Sequence, residues 1–125
     1  MLFYIALGGA AGTLARYGMG GLAQRFSALF PFGTLTINVT GSFILGFVMR
    51  FLLATTASPE LRASLTIGLC GGFTTFSTFS YETATLLEDG EIGRAAAYVL
   101  SSVLLSLLAT FAGFAAARAT LAPPR

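Results

Sequence analysis

The chain has 125 residues, of which 55% are apolar and only 10% are charged, with a formal net charge of +2. Soluble domains carry roughly 25% charged residues, so this chain lacks the side chains to cover a surface in water. One cysteine excludes an internal disulfide, and the lack of histidine removes the usual metal-ligand and catalytic sets. No basic cluster could follow nucleic-acid phosphates. The composition predicts a membrane protein, neither an enzyme nor a nucleic-acid-binding protein.

Four stretches are apolar enough to cross the hydrocarbon, which takes about 20 helical residues. They are residues 2–22, 33–53, 61–87 and 93–117. The connections are too short to separate domains, so the sequence predicts one four-helix transmembrane domain over residues 1–125, with a frayed tail at 122–125. The first stretch has no basic leader and is interrupted by Arg16, which favours a retained helix over a signal peptide.

Arginines occur on both sides of the predicted membrane. Those on the side of the termini are Arg50, Arg62, Arg118 and Arg125, and those on the other side are Arg25 and Arg94. This positive-inside bias is shallow. It fits termini in the cytoplasm, and it also fits a chain that inserts in both orientations.

Each of the four predicted spans, beginning with the first, contains a pair of small residues four positions apart. The pairs are Gly8 and Gly12, Ser42 and Gly46, Gly68 and Gly72, and Ala109 and Gly113. This spacing is typical of helices that approach closely in a membrane. Near the end of the first span, Arg16 has two open interpretations. It attracts anions into a vestibule, or it extends to the lipid headgroups.

The second span carries Asn38, whose amide N–H₂ is a donor, with Ser42 one turn further on. The third span contains Gly-Leu-Cys-Gly-Gly-Phe-Thr-Thr-Phe-Ser-Thr-Phe over residues 68–79. Adjacent glycines and threonines are poor helix formers, so we expect the helix to break near mid-membrane. Non-helical backbone at that depth lies inside protein or beside water, and broken helices commonly form ion sites.

The broken stretch offers two kinds of ligand. Its freed carbonyl oxygens suit a hard cation, and its freed N–H and hydroxyl groups suit an anion. Phe76 and Phe79 are three residues apart and share a helical face if the helix resumes after Thr75. They either fill the core or turn their positive ring edges toward an anion.

The fourth span contains a column of hydroxyl groups at intervals of four residues, formed by Tyr98, Ser102, Ser106 and Thr110. Each serine or threonine taken alone is explained equally well by a bond to a carbonyl of its own helix. As a column they supply rotatable donors along a path, which suits an anion that must also leave.

Together these motifs resemble the fluoride channels called Fluc or CrcB, along nearly the whole chain. The first span has Gly-Gly-Ala-Ala-Gly at residues 8–12, followed by Arg16 and Tyr17. The second has Gly-Thr-Leu-Thr-Ile-Asn-Val-Thr-Gly-Ser-Phe at residues 33–43, and the third has the run at residues 68–79. The three motifs in this order are highly specific.

The resemblance implies a multi-pass protein of the cell (inner) membrane that passively exports fluoride and lowers its cytoplasmic concentration. It implies an antiparallel, dual-topology homodimer with two pores at its interface. The backbone carbonyls of Gly71 and Thr74 would hold a structural sodium ion (Na+) on the dimer axis. The residues implied along the fluoride pore are Asn38, Phe76, Ser77, Thr78, Phe79, Tyr98, Ser102 and Ser106. Glu82 and Arg16 match positions at a pore end or vestibule.

A second interpretation is a small four-helix proton-coupled multidrug exporter of similar length and topology. Such a carrier needs a carboxylate inside the membrane to exchange protons for cationic drugs, and only Glu82 could supply it. A purely structural membrane subunit would explain the small-residue pairs but not the run of aromatic and hydroxyl residues.

Overall fold

The computed structural model describes residues 1–122, apart from the side chain of Gln24, and this part of the chain consists of helices and short turns. The predicted all-α class is therefore confirmed for these residues. Arg125 and the prolines of the tail that was expected to fray lie outside them.

The helices follow one another with short connections. They are α1 (Leu2–Ala23), a 3₁₀ turn (Gln24–Phe26), α2 (Phe32–Leu53), α3 (Pro59–Ala63), a π-helical stretch (Ser64–Cys70), α4 (Gly71–Phe73), α5 (Phe76–Glu88) and α6 (Ile92–Leu121). Residues 59–88 are called the third segment below. Within residues 1–122, α2 and α6 are long and apolar enough to cross a membrane, by length and composition. The third segment is divided into pieces that are individually shorter than a membrane span.

The ends of the third segment are set by local sequence. Ser58 caps α3, because its Oγ accepts a hydrogen bond from the Leu61 N–H at 3.2 Å, and Pro59 occupies the first turn. At the other end Gly90 has φ +76°. Its N–H donates to Leu87 O, and the Glu91 N–H donates to Leu86 O. This Schellman motif reverses the chain into α6.

Small residues allow two close helix packings. α1 packs along residues 59–73, and α2 packs along α6. A Cβ on Gly72 would lie 2.6 Å from the Gly9 carbonyl oxygen, and one on Gly113 would meet the carbonyl of Phe43 in α2. The backbones therefore touch where a side chain would not fit, in agreement with the predicted small-residue contacts.

The third segment is interrupted at Thr74 and Thr75. These residues are extended, with φ/ψ of −79°/157° and −149°/108°. Gly71 is helical, so the glycines that predict a break do not themselves form it. The extended conformation falls on β-branched threonines, which suit it. Before the interruption the segment packs on α1, and after it α5 packs on α6.

Candidate functional site: two grooves at the helix break

Two grooves meet at the interruption. The larger, of about 630 Å³, has Arg16, Thr34, Thr78 and Glu82 in its wall and is called the wide groove. The smaller, of about 320 Å³, is called the phenylalanine groove. Its lining includes Asn38, Thr74, Phe76, Phe79, Ser102 and Ser106. No charged side chain of the described residues lines the phenylalanine groove, so a mobile ion there would meet aromatic and neutral polar groups.

Asn38 of α2 holds the broken backbone by both ends of its amide. Its Oδ1 accepts a hydrogen bond from the Thr75 N–H at 2.8 Å, and its Nδ2 donates to the Thr75 carbonyl at 3.0 Å. Thr75 is only 8% exposed, so its backbone N–H would otherwise be buried without a partner at a substantial cost. Because an amide N–H₂ has two hydrogens, one N–H of Asn38 is left over for another acceptor.

The Thr75 hydroxyl starts the resumed helix. Its Oγ1 accepts from the Thr78 N–H at 3.2 Å and donates to Thr78 Oγ1 at 2.9 Å. This is the N-cap of α5, which satisfies an amide that a helix start leaves unpaired. Ser77 and Thr78 are both exposed on this turn.

Phe76 and Phe79 lie side by side at the start of α5, with ring centroids 5.4 Å apart and planes inclined at 46°. Phe76 is 77% exposed, whereas Phe79 is half-buried and meets the Tyr98 ring edge-on at 5.1 Å. The structure thus brings the two rings together. One is supported by α6, and the other projects from the chain.

The predicted hydroxyl column on α6 is divided between two environments. Tyr98 is fully buried, and its hydroxyl donates to Glu82 Oε2 at 3.0 Å. The other carboxylate oxygen of Glu82 accepts from the Thr34 hydroxyl. Ser102 and Ser106 instead line the phenylalanine groove.

Ser102 carries an unsatisfied hydroxyl group. Among the polar side-chain atoms that the structure describes, the buried Ser102 Oγ has no hydrogen-bond partner. Its neighbour Ser101 differs, since its Oγ donates to the Ala97 carbonyl of its own helix at 2.6 Å. Buried hydroxyl groups are normally paired, so the unpaired Ser102 hydroxyl beside the phenylalanine groove is an exception.

Arg16 reaches the break itself. Its Nη1 donates to the Thr74 carbonyl oxygen at 3.3 Å, and the side chain is half-buried in the wall of the wide groove. Gly71 is exposed on the same segment, where an added Cβ would meet nothing closer than the Thr66 oxygen at 4.0 Å. The carbonyls of Gly71 and Thr74 are neutral oxygen donors, which fit a hard monovalent cation. The nearby guanidinium disfavours a more highly charged one.

Two residues of the site, Thr34 and Thr75, are not predicted to belong to it from the sequence. Thr34 lies four residues before Asn38, which lies four before Ser42, so the helical period could have marked it. Thr75 stands inside the run at residues 68–79, but its bonds to Asn38 join positions 37 residues apart. No local pattern shows such a pairing.

The apolar helices and the groove without charged side chains beside the helix break are typical of a membrane protein. The model of the family described as CrcB-like protein, Camphor Resistance (CrcB), matches residues 3–114, and the chain belongs to this family. The resemblance read from the sequence is thereby confirmed.

Similar proteins carry the name fluoride-specific ion channel FluC. One from Geobacter metallireducens is 57% identical over 116 residues, which cover 91% of this chain and 94% of that protein. One from Geobacter sulfurreducens is 55% identical over the same shares of the two chains. One from Thermus thermophilus is 48% identical over 111 residues, covering 88% of this chain and 89% of the relative. These names describe ion channels, which agrees with the expectation that the chain is not an enzyme.

Proposed function

We propose that this chain forms a fluoride-selective channel that lets fluoride leave the cytoplasm passively. The observation that carries the proposal is the lining of the phenylalanine groove, where two phenylalanine rings, the Asn38 side chain and Ser102, whose hydroxyl has no partner, surround one space without a charged side chain. Weak, multiple donors let an anion bind and also leave. The ion's identity comes from the relatives, which are named fluoride-specific channels.

The channel is proposed to be an antiparallel, dual-topology homodimer of four-span chains in the inner membrane. The exposed turn around Phe76, Ser77 and Thr78 supports this assembly, because a lone chain would present the hydroxyl groups of this turn to lipid. A second copy would cover them and would also place a Phe76 ring beside the groove of its partner. The shallow arginine bias permits insertion in both orientations.

A structural sodium ion on the dimer axis belongs to the same proposal. The carbonyls of Gly71 and Thr74 from two copies would supply four oxygens, fewer than calcium usually takes. Residues 68–79 hold no carboxylate that could balance a second charge. This donor set suits a monovalent cation, whose field would favour anions in the neighbouring grooves.

The exporter interpretation has no support from the site. Its required carboxylate, Glu82, is bonded through one oxygen to the Thr34 hydroxyl and through the other to the Tyr98 hydroxyl. A carboxylate held in this way orients the Thr34 hydroxyl at the wide groove and the buried Tyr98 hydroxyl behind it. We propose it as part of a pore end.

Efflux from liposomes tests the function directly. Purified protein reconstituted without a proton gradient is expected to release fluoride rapidly while retaining chloride and a cationic dye. Fluoride release that requires a proton gradient, or release of the dye in exchange for protons, would contradict a passive fluoride channel.

A further inference from the structure

The two carbonyls proposed to hold sodium have both lost their helical hydrogen-bond donors. In a continuous α-helix the carbonyl of residue i accepts from the N–H of residue i+4. The Gly71 carbonyl would then accept from Thr75, and the Thr74 carbonyl from Thr78. In this structure the Thr75 N–H donates to Asn38 Oδ1 at 2.8 Å, and the Thr78 N–H donates to Thr75 Oγ1 at 3.2 Å.

We infer that Asn38 and Thr75 are positioning residues that keep these two carbonyls available for a cation by capturing the amides that would otherwise bond to them. The inference rests on the proposed function, since the cation site is completed by a second copy. Asn38 acts through a side-chain acceptor on α2, and Thr75 acts through its own hydroxyl. Each carbonyl thus depends on one identifiable oxygen atom.

This arrangement connects the two ion sites through one side chain. Asn38 lines the phenylalanine groove with its amide while its Oδ1 restrains the Thr75 N–H. Its Nδ2 bond to the Thr75 carbonyl fixes the same peptide from the other side. A change at Asn38 therefore reaches the cation site even though Asn38 contributes no atom to it.

Arg16 limits the charge that the cation site tolerates. Its Nη1 donates to the Thr74 carbonyl at 3.3 Å, and a carbonyl oxygen has a second lone pair for another partner. The permanently charged guanidinium raises the cost of any additional cation nearby, and more so for a divalent one. Sodium therefore fits this site better than calcium.

Four substitutions separate the positioning role from a general structural one. Asn38→Leu and Thr75→Val have nearly the original shape but lack the capturing oxygen, so the amides can return to the carbonyls and the helix can close. Asn38→Asp and Thr75→Ser keep the oxygen. Ser101→Ala is the matched control, because Ser101 bonds only to carbonyls of its own helix.

The measurement is the thermal unfolding midpoint of the purified dimer in detergent, in sodium chloride and in N-methylglucamine chloride of equal ionic strength. Sodium is expected to raise the midpoint of the unchanged protein, Asn38→Asp, Thr75→Ser and Ser101→Ala. The shift is expected to disappear in Asn38→Leu and Thr75→Val. If either Asn38→Leu or Thr75→Val does not fold, the sodium shift of the other variant still tests the inference.

The inference is overturned if sodium does not stabilise the unchanged protein, if the leucine and valine variants keep the full shift, or if the aspartate and serine variants lose it. Fluoride efflux by the unchanged protein is measured separately. If efflux is observed together with any of these results, the positioning role is rejected and the proposed channel function is kept. If no efflux is observed, the proposed channel function is rejected, whatever the shifts of the unfolding midpoint.

Discussion

Phe76 and Phe79 differ in how the chain surrounds them. Phe76 is 77% exposed and meets Phe79, whereas Phe79 is half-buried and also contacts Tyr98. Burial of apolar area sets most of a side chain's contribution to stability. Phe76 therefore adds little to the fold of one chain, and its conspicuous position is better explained by an ion or a second copy.

Replacing either ring by isoleucine is expected to reduce fluoride flux strongly while leaving the protein folded. Apolar swaps of similar volume usually cost less than about 1.5 kcal/mol of stability. Loss of a ring-edge interaction worth about 1.4 kcal/mol would slow conduction about tenfold. The measurement is fluoride efflux from liposomes with a check of dimer size by gel filtration.

The control is Phe111→Ile. Phe111 and Phe114 form an edge-on pair with the same spacing of three residues, on α6 and outside both grooves. Flux that is equally reduced in the control, or unchanged in Phe76→Ile and Phe79→Ile, would return the rings of α5 to a packing role.

The unpartnered Ser102 hydroxyl gives a second prediction. Ser102→Ala removes a buried unsatisfied group, so we expect unchanged or slightly higher thermal stability, because an unpaired buried polar group costs about 1–3 kcal/mol. Fluoride flux should nevertheless fall, since the groove loses a donor. Ser101→Ala should leave flux as it is. A marked loss of stability in Ser102→Ala would show that its hydroxyl has a structural partner instead.

Among the helices, the packing of α1 on the third segment depends on glycine. A Cβ on Gly12 would collide with the Leu69 carbonyl and lie 2.9 Å from the Phe73 amide nitrogen. Gly18, on the same helix, has nothing within 4 Å of an added Cβ. Alanine substitutions at the two positions therefore distinguish the effect of helix propensity from the effect of a blocked backbone contact.

Gly12→Ala is expected to destabilise the fold by about 1–3 kcal/mol through overpacking. Gly18→Ala should stabilise it by about 0.5–1 kcal/mol, as alanine does within a helix. Unfolding followed by circular dichroism in detergent checks both. Equal effects at the two sites would mean that α1 does not approach the third segment this closely.

The sequence predicts the helical class and the interruption of the third segment, because propensity and the small-residue spacing are local properties. It does not predict that Gly71 stays helical while Thr74 and Thr75 extend. That choice is supported by Asn38, 37 residues away, which replaces the helical partner lost by the Thr75 N–H. Likewise the bond from Arg16 to the Thr74 carbonyl spans 58 residues, so no local pattern predicts it.

At the scale of the whole molecule, the surface around Gly71 is open. A substitution there can therefore test assembly without disturbing the fold of one chain. Within one chain an added Cβ at Gly71 meets nothing closer than 4.0 Å. Two copies meeting at this segment would leave no such space. In the proposed dimer, a larger side chain at Gly71 would thus act on the partner rather than on the fold.

Gly71→Val is expected to shift purified protein from dimer to monomer, or to abolish conduction by the dimer, with the helical content of the chain retained. Thr74→Ser should have a much smaller effect, because the backbone provides the proposed contact and serine keeps the hydroxyl that donates to the Cys70 carbonyl at 3.0 Å. Light scattering and efflux measure the two properties. Normal assembly and conduction by Gly71→Val would remove this surface from the dimer axis.

The change of packing partner at Thr74 and Thr75 also has a mechanical consequence. Residues 59–73 pack on α1 and α5 packs on α6, so the third segment is not a single continuous helix. Rotation about the backbone bonds of these two residues would have to break the bonds of Asn38 to Thr75 and of Arg16 to the Thr74 carbonyl. The break between the two helical pieces is therefore fixed to both α1 and α2. Movement of either helix would thus be transmitted to the break, where the two grooves meet.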